Sequence, residues 1–288
     1  MTYQRLLLLV LAAVGASLLL VVAVNRWPTP ADEHAYWLAG QRLLAGQPLY
    51  DVTATSVTPF AYWYPPIVAQ VLAPITLVLS ADAFNWLWTL LMLGCLWWLA
   101  GRNLLVALAM CAFPPIAVEF WFRNVHLVIA VLLVLGLRRW GGWFAVGAAI
   151  KVAPVLGILY IALRGRWHDA LVATAFGSVL LMGSVLLAPD AWRQFVDVLV
   201  ARGPADASAF FPVPYAARLA VGLALTVVAA RLEPRIGEPL LVVAVTVALP
   251  TLWFTALSTL AAIVPLVRTP AGFVPAMRAP ASQNVEAT

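Results

Sequence analysis

Residues 32–66, DEHAYWLAGQRLLAGQPLYDVTATSVTPFAYWYPP, form a segment that is polar enough to need water yet lies between apolar runs. An acidic pair, Asp32 and Glu33, opens it, and apolar residues at helical spacing continue to Gly46, a residue that commonly ends a helix. We predict a short interfacial helix followed by a loop. Aromatic side chains with one polar edge are enriched where a membrane meets water, and the segment supplies Tyr36, Trp37, Tyr62, Trp63 and Tyr64.

The composition places the chain in a membrane. Hydrophobic residues make up 64% of it and charged residues 10%, against about 25% charged in a soluble domain, so burying the apolar groups requires lipid as well as a protein core. The formal net charge is +5, but the Arg residues stand in small groups between apolar runs, as in cytoplasmic loops of membrane proteins. We therefore predict an all-α polytopic membrane protein, with membrane lipids around it and no nucleic-acid partner.

Apolar runs separated by Arg groups predict the order of the membrane spans. Residues 6–24 follow Arg5 and lack a clean signal-cleavage site, which indicates an uncleaved first span and a cytoplasmic N-terminus. Together with the later spans they predict a single transmembrane domain over residues 1–268, followed by a disordered tail over 269–288. The later spans are expected near residues 83–100, 104–118, 125–137, 169–188, 215–230, 239–249 and 253–267.

Two apolar runs do not fit a simple crossing. Residues 67–79 are short for a span, so they either cross or lie as a half-buried helix in the outer leaflet. Residues 143–163 have Arg groups at both ends and Lys151 near their middle, which indicates a broken re-entrant pair. If residues 67–79 stay outside, more Arg groups fall in the cytoplasm. The external loops are then 25–82, carrying interfacial helices, and 189–214.

The chemistry that the sequence offers is that of carboxylates at an interface. The candidates in predicted outward loops are Asp32, Glu33, Glu119, Asp190, Asp197 and Asp206. It contains no Gly-x-Ser-x-Gly, His-Glu-x-x-His or Walker-type motif and no Cys/His cluster, so neither a metal nor a cofactor is expected. Asp32 and Tyr36 share one helical face. A carboxylate held partly out of water can act as a general base because desolvation raises its pKa. Asp32 could also serve as a helix cap.

Cations near the outer face could bind a lipid phosphate. Lys151 lies within an apolar run, where an ammonium needs an anionic partner or water, unless it extends to the interface from a helix end. Arg123, Asn124 and His126 fall in a predicted outward turn, for which a solvated loop is the simpler interpretation. The candidates for a phosphate-binding cation, in order, are Lys151, Arg123 and Arg202.

Four motifs occur in order between residues 30 and 170. They are Asp32 and Tyr36 followed by LLAGQPLYD (43–51), the Tyr64-Pro65-Pro66 triplet, RNVHLVIAVLLVLGLRR (123–139) and GAAIKVAPVLGILYIALRGRW (147–167). The third motif is similar to a Gly-Gln-x-Asn-Leu region of one membrane-enzyme family, and the fourth is similar to a Gly-rich run of the same family that leads to Lys-x-x-Pro. In this order they resemble glycosyltransferase family 87, the polyprenol-phosphate-mannose-dependent mannosyltransferases of the integral-membrane GT-C class.

The resemblance implies a GT-C-like helical bundle and a membrane hexosyltransferase. It implies that Asp32 deprotonates an acceptor hydroxyl, which attacks the anomeric carbon of a sugar, expected to be mannose, on a polyprenyl phosphate carrier. The displacement is expected to invert that carbon. We also expect a lipid- or envelope-linked acceptor and a site that faces outward from the plasma membrane. Candidate substrate-binding residues are Glu33, Tyr36, Tyr64, Arg123, Asn124, His126, Lys151, Arg202 and Trp253.

The chain departs from the family pattern at two places. Arg123-Asn124 stands where the family has Gly-Gln, and LPTLWFT (249–255) stands where the family has Ser-Pro-x-x-Trp followed by His. The alternative hypothesis is therefore a non-catalytic protein that binds or transports a lipid-linked sugar. Replacement of Asp32 by Asn distinguishes the two, because it keeps the side chain's size and removes the base.

Overall fold

The computed structural model of the protein describes residues 2–26, 29–51, 53–54, 58–202 and 211–268. The predicted disordered tail lies outside these residues. The regular elements within them are all helices, with a 3₁₀ helix (Phe254–Ala262) before the last. In chain order the α-helices are α1 (Tyr3–Arg26), α2 (Asp32–Leu44), α3 (Pro66–Val78), α4 (Ala81–Leu99), α5 (Leu104–Cys111), α6 (Pro114–Phe122), α7 (His126–Arg138), α8 (Gly142–Ile150), α9 (Val155–Leu163), α10 (Trp167–Leu187), α11 (Pro189–Arg202), α12 (Tyr215–Arg231), α13 (Pro234–Val247) and α14 (Ile263–Arg268).

Two of the described helices are long and apolar enough to cross a membrane alone, α1 with 24 residues and α10 with 21. Two more spans result if each of the bent pairs α4–α5 and α6–α7 is one span; their axes turn by 111° and 117° at the break. Large apolar side chains such as Leu20 and Leu186 are exposed on the long helices, as lipid-facing residues are. The prediction of an all-α polytopic membrane protein is confirmed, although the other predicted spans fall on shorter helices.

Helix boundaries agree with the sequence where a local signal sets them. The predicted interfacial helix is α2, and Gly46 behind it has a φ of +64°, which favours glycine. The predicted break near Lys151 separates α8 from α9. The predicted span over 104–118 is wrong, because the chain breaks between α5 and α6. Pro114-Pro115 opens α6, and prolines lack the N–H that would continue the preceding helix.

α2 lies against α3, and this contact fixes the position of its first turn. Gly40 faces Thr76 so closely that an added Cβ would lie 2.6 Å from the Thr76 Oγ1, so the two helices approach as near as they do only with glycine here. Trp37 Nε1 donates to the carbonyl of Leu79 at 3.0 Å, and Gln41 Nε2 donates to the carbonyl of Thr76 at 2.5 Å. These contacts hold α2, from Trp37 to Gln41, against the C-terminal end of α3.

Candidate active site

A cavity of about 410 Å³ lies among the first turn of α2, the loop before α3, and the breaks that follow α6, α8 and α13. Its volume falls in the range of roughly 300–1,000 Å³ that is usual for small-ligand pockets. Among the described lining residues, Asp32 and Lys151 are the charged ones, and most of the others are aromatic or apolar. The described lining consists of Asp32, Ala35, Tyr36, Thr58, Phe60, Ala61, Trp63, Tyr64, Val118, Phe122, Asn124, Lys151, Thr251, Trp253, Phe254 and Thr255.

Asp32 is the carboxylate in the cavity wall. Its Oδ2 accepts a hydrogen bond from Asn124 Nδ2 at 2.5 Å. Burial raises the pKa of the Asp32 carboxyl to about 6, against an opposing contribution from the Asn124 hydrogen bond. The residue does not cap α2, because the N-cap position belongs to Ala31, which makes no side-chain capping hydrogen bond. A carboxylate with this pKa can take up a proton near neutral pH.

Asn124 connects Asp32 to two tyrosines. The Asn124 Oδ1 accepts from the Tyr64 hydroxyl at 2.8 Å and from the backbone N–H of Val125 at 2.8 Å. These two donors fix the amide orientation, so its N–H group faces the Asp32 carboxylate. The Tyr64 hydroxyl lies 3.0 Å from that of Tyr36, and burial raises the pKa of both phenols. The chain of hydrogen bonds therefore holds the Asn124 amide in place as a donor to Asp32.

Glu33 and Arg123 form an ion pair behind the cavity. Arg123 Nε lies 2.9 Å from Glu33 Oε2, and the two side chains are 0% and 1% exposed. Arg123 also donates to the carbonyl of Thr29. It ends α6 in a left-handed conformation with a φ of +53°, which is uncommon for a residue with a Cβ. The pair ties the chain before α2 to the α6–α7 break, where Asn124 follows.

A second buried group joins Glu119, His126 and Lys151. Glu119 Oε1 accepts the backbone N–H of His126 at 2.6 Å, and Glu119 Oε2 lies 3.0 Å from His126 Nδ1. On the other side of the ring, His126 Nε2 lies 2.9 Å from Lys151 Nζ. That ammonium also lies 5.4 Å from the ring centroid of Tyr64, within reach of a cation–π contact. Lys151 therefore has buried partners and also faces the cavity.

The structure brings most of the sequence-predicted site residues together. Among the predicted site residues, those that line the cavity are Asp32, Tyr36, Tyr64, Asn124, Lys151 and Trp253. Glu33, Arg123 and His126 lie behind the wall, so a direct contact of Glu33 or Arg123 with substrate is not supported; each neutralises the other instead. Arg202 ends α11, a helix within the predicted external loop 189–214, and its side chain lies outside the described part of the chain.

Some residues of the site were missed or underrated from sequence. Glu119 was one of several carboxylates predicted in outward loops, but it lies in α6 and is fully buried. Its position inside an apolar run was a signal, because a charge there requires a partner. Phe60, Thr251 and Thr255 also line the cavity. Among the described residues no group of three or more His, Cys, Asp or Glu side chains could hold a metal.

Comparisons with known proteins identify the family of the chain. The model of glycosyltransferase family 87 matches residues 62–269. The match begins after Asp32 and includes the cavity-lining residues from Trp63 onward. No solved structure matches the chain, and the GT-C-like arrangement stays a prediction.

A curated relative, the polyprenol-phosphate-mannose-dependent alpha-(1-2)-phosphatidylinositol mannoside mannosyltransferase of Mycobacterium tuberculosis, is 27% identical over 212 residues, or 60% of this chain and 49% of the relative. The chain thus spans about half the length of the curated relative that it matches. Because the family model covers most of the sequence, on helices that include membrane-spanning candidates, the chain belongs to glycosyltransferase family 87.

Proposed function

We propose that the protein transfers mannose from a polyprenyl phosphate carrier to a lipid- or envelope-linked acceptor, with Asp32 as the general base. The observation that carries the proposal is that one carboxylate, Asp32, and one ammonium, Lys151, both lie in the wall of a largely aromatic cavity. Sugar transfer from a lipid phosphate needs a base at the attacking hydroxyl and positive charge at the departing phosphate.

Asp32 accepts the proton in this reaction. The acceptor oxygen forms a bond to the anomeric carbon of mannose while its proton passes to the Asp32 carboxylate. The bond from the anomeric carbon to the phosphate oxygen breaks, and the electron pair leaves with polyprenyl phosphate. Attack opposite the leaving group inverts the anomeric carbon. The raised pKa of Asp32, about 6, keeps most of the carboxyl ionised at neutral pH and makes it a stronger base than an exposed Asp.

Lys151 binds the donor phosphate. Among the described lining residues it is the cation, whereas Arg123 is committed to Glu33. An ammonium close to the leaving oxygen stabilises the charge that develops there, most strongly where water is excluded. The aromatic side chains of Trp63, Phe122 and Trp253 line the same cavity and suit the faces of a sugar or the first units of a prenyl chain.

The curated relative supports the choice of substrates. Its name specifies a polyprenol-phosphate-mannose donor and a phosphatidylinositol mannoside acceptor. We carry over the donor class and a lipid-linked acceptor, both of which also fit a site built from membrane-embedded helices.

The positions of cations favour an outward-facing site in the plasma membrane. Arg138, at the end of α7, pairs with Glu238 in the first turns of α13 at 2.7 Å, and Arg164 donates to the carbonyls of Ala230 and Leu232. This cluster lies at the ends of α7, α9 and α13 opposite to those at the cavity. Because cytoplasmic ends carry the excess of Arg and Lys, we assign the cavity to the external face.

Reconstituted protein tests the proposal. Vesicles with the wild type, given polyprenyl phosphate carrying labelled mannose and a membrane lipid extract, should form a new labelled lipid. Lys151→Met should lower the rate by about 10²-fold or more, and Arg193→Met, a change at an exposed cation of α11, should leave it unchanged. If the labelled mannose stays on polyprenyl phosphate, and this lipid only binds to the protein or crosses the vesicle membrane, the result would instead favour a non-catalytic binding or transport protein.

A further inference from the structure

Glu119 takes no part in the reaction described above. It is nevertheless fully buried, and its carboxylate makes two hydrogen bonds to His126. Its acceptors are both used by His126, one by the backbone N–H and one by the ring. A buried carboxylate is costly unless a positive charge compensates it. The nearest cation along the hydrogen bonds is Lys151, on the far side of the His126 ring.

The geometry determines the state of the His126 ring. A protonated ring, or the tautomer with hydrogen on Nε2, would aim an N–H at the Lys151 ammonium only 2.9 Å away, and two donors would face each other. Neutral His126 with hydrogen on Nδ1 satisfies both sides, since Nδ1 donates to Glu119 Oε2 and Nε2 accepts from Lys151 Nζ. The carboxylate thus selects the tautomer that can hold the ammonium.

We propose that Glu119 is a positioning residue that acts through His126 to direct the Lys151 ammonium toward the donor phosphate. This inference rests on the proposed function. One Nζ hydrogen is taken by His126, and the Tyr64 ring lies 5.4 Å from Nζ. The remaining hydrogens are left for the cavity, where Lys151 forms part of the wall. The arrangement also balances charge, because the Glu119 carboxylate and the Lys151 ammonium are neutral together.

Glu119→Gln tests the relay because an amide cannot serve both His126 groups. If its oxygen stays on the backbone N–H, its NH₂ group faces Nδ1, which must then accept. The hydrogen moves to Nε2 and opposes the Lys151 ammonium. The ligand is a short-chain polyprenyl monophosphate, and its Kd for purified protein in lipid nanodiscs is measured without any turnover.

A double-mutant cycle separates positioning from a general loss of structure. In the wild-type background, Glu119→Gln should raise the Kd about tenfold. In the Lys151→Met background, the same substitution should change the Kd by less than about twofold. Glu238→Gln removes a buried partner of Arg138 far from the cavity and should leave the Kd unchanged. An equal factor for Glu119→Gln in both backgrounds would overturn the proposal, as would a wild type that does not bind polyprenyl phosphate.

Two replacements of His126 keep the test decisive if Glu119→Gln fails to fold. In His126→Gln the amide can donate to Glu119 and accept from Lys151, as the ring does. His126→Leu can do neither, so its Kd should be at least about fivefold higher than that of His126→Gln, and equal values would refute the relay. A wild type that binds the phosphate but transfers no sugar would remove the proposed function and leave this binding test intact.

Discussion

Removal of the Glu33 charge should destabilise the protein far more than removal of a comparable charge at the surface. Glu33→Gln leaves the Arg123 guanidinium buried, at 0% side-chain exposure, without the carboxylate that now lies 2.9 Å from its Nε. Breaking a buried ion pair by neutralising one partner costs about 3–5 kcal/mol, because the remaining charge is not compensated. For a chain of this size we expect a fall in Tm of about 10 °C.

Asp169→Asn is the matched control. Asp169 pairs with Arg166 at 2.8 Å, but both side chains are more than 40% exposed, and pairs of this kind contribute at most about 1 kcal/mol. Thermal unfolding of both variants in the same detergent, followed by tryptophan fluorescence, gives the comparison. Equal shifts in Tm for Glu33→Gln and Asp169→Asn would refute the assignment of Arg123 and Glu33 to a closed, buried pair.

Two further outcomes follow from single contacts. With a pKa of about 6, Asp32 is about 90% ionised near pH 7 and about 10% near pH 5. The transfer rate should therefore fall about tenfold between these two pH values. A transfer rate that does not change between pH 7 and pH 5 would exclude Asp32 as the base. Gly15→Ala should lower Tm, because a Cβ there would lie 1.7 Å from the Leu108 carbonyl oxygen on α5. The control Gly183→Ala places its Cβ in open space and should raise Tm slightly. Similar Tm values for the two variants would contradict the close contact of Gly15 with α5.

The sequence predicted the elements whose boundaries local residues set. The helix starting at Asp32 and its end before Gly46 follow from apolar spacing and a glycine, and the break at Lys151 follows from a charge within an apolar run. The break between α5 and α6 was also readable, since Pro114-Pro115 stands inside the predicted span 104–118. We predicted a continuous span over 104–118 because the residues are apolar, although the two prolines indicated a break.

Partners distant in sequence could not be predicted in this way. Asn124 reaches Asp32 across 92 positions, and Arg123 reaches Glu33 across 90. Neither pair has a periodic or local signature, because each depends on how α2 packs beside the α6–α7 break. The resemblance brought Asp32, Asn124 and Lys151 to attention separately. The sequence ranked Lys151 before Arg123 as the proposed cation for a phosphate, and the placement of Lys151 in the cavity wall and of Arg123 behind it supports that order.

The most direct test of Asp32 as the base compares mannose transfer by the wild type and by Asp32→Asn. The variant keeps an oxygen that can accept from Asn124, and its Tm should not fall, because burial disfavours the ionised carboxyl that it replaces. We expect transfer to drop by about 10²–10⁴-fold while the Kd for polyprenyl phosphate stays within about threefold of the wild type. Transfer by Asp32→Asn at the wild-type rate would contradict the account and place the base elsewhere.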